Sequence, residues 1–277
     1  MVSFVTMSIF FTSLNSGSNG NCYYIGNASE AVLIDAGLSC KETEKRMKSL
    51  DLSMELVKAI FISHEHIDHV KGVEVLAKKY GFPVHITNQT LQNCRTPIPK
   101  SQAIPLMSYN PVSIGNLIIT AFPKFHDAID PTSFIIEYNS IKVGVFTDIG
   151  SVCDHVIKHF KECNAVFLEA NYDEYMLENG HYPFHLKKRI SGNDGHLSNK
   201  QALDLFTTHQ SDSLSHLLLS HLSQENNDPK LVLDLFKAHS KKTEIILATR
   251  HEHTALYAIE SKQKKITKRI TQLNLFQ

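Results

Sequence analysis

Four metal-competent side chains fall within six residues at His64-Glu65-His66-Ile67-Asp68-His69, directly after the apolar run Ala59-Ile60-Phe61-Ile62. That run reads as a buried strand. In an extended segment His64 and His66 point to one side, and Asp68 and His69 then lie where the chain turns, free to reach a second ion. Imidazole nitrogen mixed with one carboxylate suits zinc, with manganese or iron as the other options. The bland alternative is a polar loop whose histidines, among sixteen in the chain, cluster by chance. An HxHxDH spacing at a strand end argues against it.

Such a loop needs a scaffold. Apolar runs at 9–11, 22–25 and 31–34 with turn-rich connections predict an antiparallel start, and 41–50 and 70–80 have helical spacing. Strands are expected near 117–122, 133–138 and 141–147, a helix from Ser151, and a strand over 165–168. Ser198 caps a predicted helix through His209, Asp228-Pro229 opens another, and 243–249 reads as the last strand. Strands alternating with helices predict an α/β fold with two sheets face to face and helices outside, a four-layer αββα sandwich.

The chain has 277 residues, 42% hydrophobic and 20% charged, ordinary for one sizeable globular domain. We expect a single folded domain over 1–258 and a basic tail over 259–277. No apolar run approaches the roughly 18 residues of a membrane span. The first residues lack the basic region of a secretory signal, and Met7 is an alternative start. Five cysteines without a paired framework suggest a reducing, cytoplasmic setting. With 28 basic and 28 acidic residues, binding to nucleic acid must come from a local patch.

The metal loop resembles that of the metallo-β-lactamase-fold hydrolases, whose motif is HxHxDH. Within that family the chain is similar to the YycJ/WalJ type. The matching stretches include Ser16-Gly17-Ser18-Asn19-Gly20-Asn21-Cys22, Ile34-Asp35-Ala36-Gly37, His126-Asp127-Ala128 and Thr147-Asp148-Ile149-Gly150. Others are Glu169-Ala170-Asn171, Gly195-His196-Leu197-Ser198-Asn199 and the run His221 to Asn227. One departure is Tyr172, where a histidine is expected. The resemblance implies a metallo-β-lactamase fold and two divalent ions, zinc or manganese with iron possible. His64, His66 and His126 would hold one ion, Asp68, His69 and His221 the other, and Asp148 would bridge them.

The resemblance also implies phosphodiester hydrolysis, with double-stranded DNA as the substrate of an exonuclease acting in repair. Asp68 would double as proton acceptor for the attacking water. A group titrating near neutrality must protonate the leaving oxygen. By analogy with related nucleases, His196 is that group, with Glu169 orienting it. Lys187, Lys188 and Arg189 follow aromatic residues and are candidates for gripping the phosphate backbone, against a plain solvated helix face. Ser18 and Asn19 lie in a Gly/Ser loop whose amides are candidates for cradling an anion, against a simple turn.

A basic stretch at 262–269 leads to Gln272-Leu273-Asn274-Leu275-Phe276. The pentapeptide looks like the short peptides by which bacterial replication proteins dock on the sliding clamp, with Leu and Phe seated in an apolar pocket. Other readings of the chain are an RNA-processing nuclease, a small thioester or lactone hydrolase, and a non-catalytic regulator. No membrane partner is expected.

Overall fold

The alternation expected of a half-covered sheet is visible over 117–122, where Leu117, Ile119 and Ala121 point into the core and Ile118 faces out. The computed structural model of the chain describes residues 7–261. Its first sheet is built from β1 (Ser8–Asn15), β2 (Cys22–Gly26), β3 (Ala31–Ile34), β4 (Val57–Phe61), β5 (Val84–Ile86) and β6 (Ala103–Pro105). The second takes β7 (Val112–Ile114), β8 (Leu117–Pro123), β9 (Thr132–Tyr138), β10 (Ile141–Phe146), β11 (Ala165–Glu169), β12 (His216–Ser220) and β13 (Glu244–Leu247). A last strand, β14 (Tyr257–Glu260), returns to pair antiparallel with β1. The orders are β14-β1-β2-β3-β4-β5-β6 and β13-β12-β11-β10-β9-β8-β7.

Both sheets are mixed, and their parallel halves matter for function. β3, β4, β5 and β6 run parallel, as do β10, β11, β12 and β13. Their carboxyl ends therefore gather at one rim, where ligands of α/β sheets bind.

Three apolar clusters give four layers. One lies between the sheets, including Phe11, Tyr23, Phe61, Phe134 and Phe167. A second packs the outer face of the second sheet under α5 (Asp154–Phe160), α8 (Asn199–His209) and α9 (Pro229–His239). A third covers the first sheet with α1 (Cys40–Ser49) and α3 (Val73–Tyr80). β11 is buried on both faces, Phe167 inward and Val166 and Leu168 outward, so its sequence is continuously apolar. The αββα sandwich expected from the sequence is the fold observed.

Local expectations needed four corrections. The helical span 70–80 is broken into α2 (Ile67–Val70) and α3. Gly72 sits at the break because a Cβ there would lie 1.8 Å from the Leu38 carbonyl oxygen. α5 starts at Asp154 rather than Ser151. The strand over 243–249 shortens to β13, and it is not the last. β14 also carries the sheet past residue 258, the expected end of the domain. By contrast, Ser198 caps α8 through a full capping box with Gln201, as its sequence predicts. The remaining helices are α4 (Asn88–Asn93), α6 (Glu174–Asn179) and α7 (Phe184–Ile190).

Candidate metal centre

Each metal-competent residue stands just beyond a strand at the shared rim. After β4, His64 lies buried in the loop, His66 precedes α2, and Asp68 and His69 fall in that short helix. The residue before β2 and the turn after β3 grip this loop: Asn21 N–H donates to the Asp68 carbonyl at 2.7 Å and Ala36 N–H to that of His69 at 2.8 Å. Such closeness requires Gly37, since a Cβ there would lie 1.7 Å from the Asp68 oxygen. His126 follows β8, Asp148 follows β10 and His221 follows β12 directly. Asp148 and His221 adopt left-handed backbone, φ 54° and 55°. For non-glycine residues such conformations persist where surrounding structure enforces them, and they concentrate at functional sites.

Two donor sets result. In the first, His64 Nε2 is 3.0 Å from His66 Nδ1, which is 3.4 Å from His126 Nε2. In the second, Asp68 Oδ2 is 3.5 Å from both His69 Nε2 and His221 Nε2. Asp148 stands between them: its carboxylate is 3.3 Å from His69 Nε2, 3.4 Å from His221 Nε2 and 3.9 Å from His126 Nε2. Bonds of about 2.0–2.1 Å in a tetrahedral site place neighbouring donors roughly 3.3 Å apart. The spacings fit divalent ions. Asp148 Oδ2 and His221 Nε2 are also buried without a hydrogen-bond partner among the described residues, as atoms reserved for metal would be.

Two buried carboxylates hold the rings. Asp35, at the end of β3, accepts from His69 Nδ1 at 2.7 Å and from Ser63 Oγ and N–H, both at 2.8 Å. Glu169, closing β11, accepts from His221 Nδ1 at 3.1 Å and His196 Nδ1 at 2.7 Å through the same oxygen. Its other oxygen takes the Ile149 and Leu197 amides at 2.7 and 3.3 Å. Fixing the Nδ1 proton in this way leaves Nε2 as the lone pair facing the site. No role for Asp35 was read from the sequence, although its strand–Asp pattern repeats that of Asp148. Lys124 carried no sequence signal at all: it is buried, with Nζ donating to the Thr147 carbonyl at 2.7 Å. Asn171, also missed, donates to the His221 carbonyl at 2.8 Å.

Electrostatically the sets differ. Burial pulls His126 down to about 3 and His64 well below the usual imidazole value, so these rings are neutral at pH 7. Burial opposes charge on His221 too, yet Asp148, Asp68 and Glu169 outweigh it and push the ring up to about 10. His69 is raised for the same reason, by Asp148, Asp35 and Asp68 against burial. Both therefore carry a proton at pH 7 before metal arrives, and ligation must expel it. Loading at pH 7 is expected to release about two protons per chain, measured by calorimetry in buffers of different ionisation enthalpy. Heats independent of buffer would contradict this. Asp35→Asn, which tolerates the left-handed backbone of that position (φ 61°), should weaken metal affinity about 10–100-fold in a chelator competition.

The other expected residues are placed as follows. His196 and Glu169 pair as described, 3.9 Å from Asp148 at His196 Nδ1. Lys187, Lys188 and Arg189 all lie on α7. Arg189 bonds the Asp127 carboxylate next to His126, and Lys187 donates to the Glu178 carbonyl at 2.7 Å. Lys187 and Lys188 line a groove with Phe184, which is 81% exposed. The Gly17 and Gly20 amides are engaged inside their own loop, by Asn21 Oδ1 and the Gly17 carbonyl. Ser18 and Asn19 instead contact Arg250: Ser18 Oγ accepts from its guanidinium and Asn19 Nδ2 donates to its carbonyl. Tyr172 is buried and its backbone bridges Ser198. Gln272, Leu273, Leu275 and Phe276 lie outside the described residues. Ile67 and Phe125, beside His66 and His126, stay 61% and 53% exposed. Among the described residues no helix is long and apolar enough to cross a membrane.

Residues 30–222 match the family described as the beta-lactamase superfamily domain. The chain is 36% identical to the exodeoxyribonuclease YycJ of Bacillus anthracis over 228 residues, 81% of this chain and 86% of that one. Its fold is similar to the metallo-β-lactamase fold protein YhfI of Bacillus subtilis, with TM-score 0.70 at 17% identity over 92% of this chain and 99% of that one. It is also similar to zinc-bound PqqB of Methylobacterium extorquens, with TM-score 0.67 at 11% identity over 88% and 99%.

Proposed function

The chain belongs to the metallo-β-lactamase-fold hydrolases of the beta-lactamase superfamily and is homologous to exodeoxyribonuclease YycJ, and we propose that it is a two-metal exonuclease of double-stranded DNA acting in repair. The observation that carries this reading is the gathering of six donor groups in two sets, His64, His66, His126 and Asp68, His69, His221, around Asp148. Two divalent ions bound there, zinc or manganese, would polarise the scissile phosphate and make a water nucleophilic near neutral pH. His64, His66 and His126 would hold one ion and Asp68, His69 and His221 the other, with Asp148 shared. Asp68, partly exposed, accepts the proton of the attacking water. His196 delivers a proton to the leaving oxygen from Nε2, because its Nδ1 is committed to Glu169.

Lys188 and the exposed Phe184 and Phe125 offer charge and ring faces to a nucleic-acid strand near the rim. Lys187 and Arg189, each already engaged by protein acceptors, reach phosphate only by exchanging partners. The test offers purified protein with manganese or zinc to end-labelled duplex DNA, single-stranded DNA, RNA and a thioester. Duplex DNA should be shortened from its ends, with Asp148→Ala inactive. Turnover of RNA or thioester alone would replace the reading with one of those chemistries. Metal binding without any turnover would point to a regulator.

The terminal peptide Gln272 to Phe276 is proposed to dock on a sliding clamp. β14 ends beside Ser8, at the end of the sandwich opposite the metal rim. Docking through the peptide would leave the rim open. Leu275→Ala with Phe276→Ala should abolish retention on a bacterial clamp while DNA cleavage by the isolated protein persists. Equal retention would rule the tether out.

A further inference from the structure

One residue past His221 the chain turns away from the metal ligands and helps enclose a cavity of 240 Å³. One ordered water needs only ~10–15 Å³ of such space, so the cavity has room for several. That is more than a bridging solvent site requires. The walls come from the carboxyl ends of two parallel neighbours: Leu222 and Gln224 follow β12, while Leu247, Ala248 and Arg250 come from the end of β13 and the loop after it. Ser16 joins the lining, and its Oγ accepts the His221 N–H at 2.7 Å. The cavity thus lies one backbone step from His221.

The accessible lining is mostly apolar and carries one guanidinium, that of Arg250. Arg250 Nη1 donates to Gln224 Oε1 and Nη2 to Ser18 Oγ at 2.8 Å, and its carbonyl accepts from Asn19. Its Nε is buried and has no hydrogen-bond partner among the described residues. A buried donor of a charged group left unpaired is costly, so a site of this kind expects an acceptor. A small anion is a poor match, because the guanidinium already spends an N–H of each terminal nitrogen on Gln224 and Ser18 and most of the accessible wall is apolar, with Ser223, Asn227 and Thr249 contributing little polar surface. A nucleobase matches both features: its faces are apolar and its edge presents ring-nitrogen and carbonyl acceptors of the kind arginine reads.

We propose that this cavity is a nucleobase subsite, receiving the base next to the scissile phosphate and presenting the Arg250 guanidinium to an acceptor on its edge. The inference rests on the nuclease reading above. It gives Ser18 and Asn19 a role different from cradling phosphate: they hold the arginine that faces the base.

The test uses the full chain without metal, titrated with 2′-deoxyguanosine and, as control, 2-deoxyribose. Methyl resonances of Leu222, Leu247 and Ala248 should shift with the nucleoside, saturating at roughly 1–10 mM as expected for a fragment, and not with the sugar. Arg250→Met should weaken this binding at least fivefold. Ala248→Leu, which narrows the cavity without touching the arginine, should raise KM for DNA at least tenfold with kcat within twofold of wild type. Absence of methyl shifts at ~20 mM nucleoside, or an unchanged KM in an Ala248→Leu protein with wild-type unfolding temperature, overturns the subsite. Nucleoside binding needs neither metal nor cleavage. A wild type that binds nucleoside yet leaves DNA intact therefore defeats the nuclease reading, whereas DNA cleavage without nucleoside binding defeats only the subsite.

Discussion

Asp148→Asn is expected to lower phosphodiester turnover on the order of 10³-fold or more. The estimate follows from charge stabilisation by the metal pair, worth several kcal/mol, at 1.36 kcal/mol per tenfold in rate. Asparagine is the informative substitution because Asp148 has φ 54°, and Asn tolerates the left-handed region far better than most residues. Shape and backbone survive while the negative charge shared by the two donor sets is lost. In the metal-free protein that carboxylate is held ionised, well below the usual range, against the burial that opposes it, by His221 and His69. Without it the two rings lose their main counter-charge and their protons become easier to remove. Metal content by elemental analysis should fall with activity. Full activity at full metal content would remove Asp148 from the shared position.

The second large effect is expected for Glu169→Gln, since one oxygen of this carboxylate serves both His221 and His196. Loss of an orienting partner behind a ligand costs about 10–100-fold in metal affinity or activity, and loss of proton transfer typically costs 10²–10⁴-fold. A drop in kcat on the order of 10²–10³-fold is therefore expected even with metal at saturation. His196→Ala should share the kcat loss while keeping metal affinity, because only Glu169 also supports the ligand. If both variants lose metal equally, His196 is a ligand and not a proton donor.

Glu169→Gln also has a pH signature in the metal-free protein. Burial raises the carboxyl, but His196 and His221 outweigh it and hold it at about 2, against an ordinary 4.5. Its contribution to stability is complete above pH 4.5 and is lost as pH falls toward 2. Across that window wild type should lose about 3 kcal/mol more than the variant, read from denaturant unfolding at fixed pH. Parallel stability curves would show that the carboxyl titrates alike in the folded and unfolded chain.

How much of this was legible beforehand depended on whether a signal is local. The HxHxDH run is local in sequence, and so are the strand-then-ligand junctions at Asp148 and His221. The break at Gly72 was not, because it answers to the carbonyl of Leu38 on a different loop. β14 was missed for a related reason: a short, partly exposed strand pairs at the sheet edge only because β1 is there to receive it. Arg189 is a candidate phosphate grip or a solvated helix position in the sequence, and its ion pair with Asp127 forms only once α7 folds back over the rim.

The chain alone determined the donor types, their strand-end positions and the two-sheet architecture, since these follow from side-chain chemistry and periodicity along a few residues. Only the tertiary structure decided which carboxylate stands behind which imidazole, that one Glu169 oxygen holds both His221 and His196, and that a cavity lies beside His221. Lone-pair direction, dielectric and enclosure are set by groups brought together from distant parts of the chain, and no short stretch of sequence contains them.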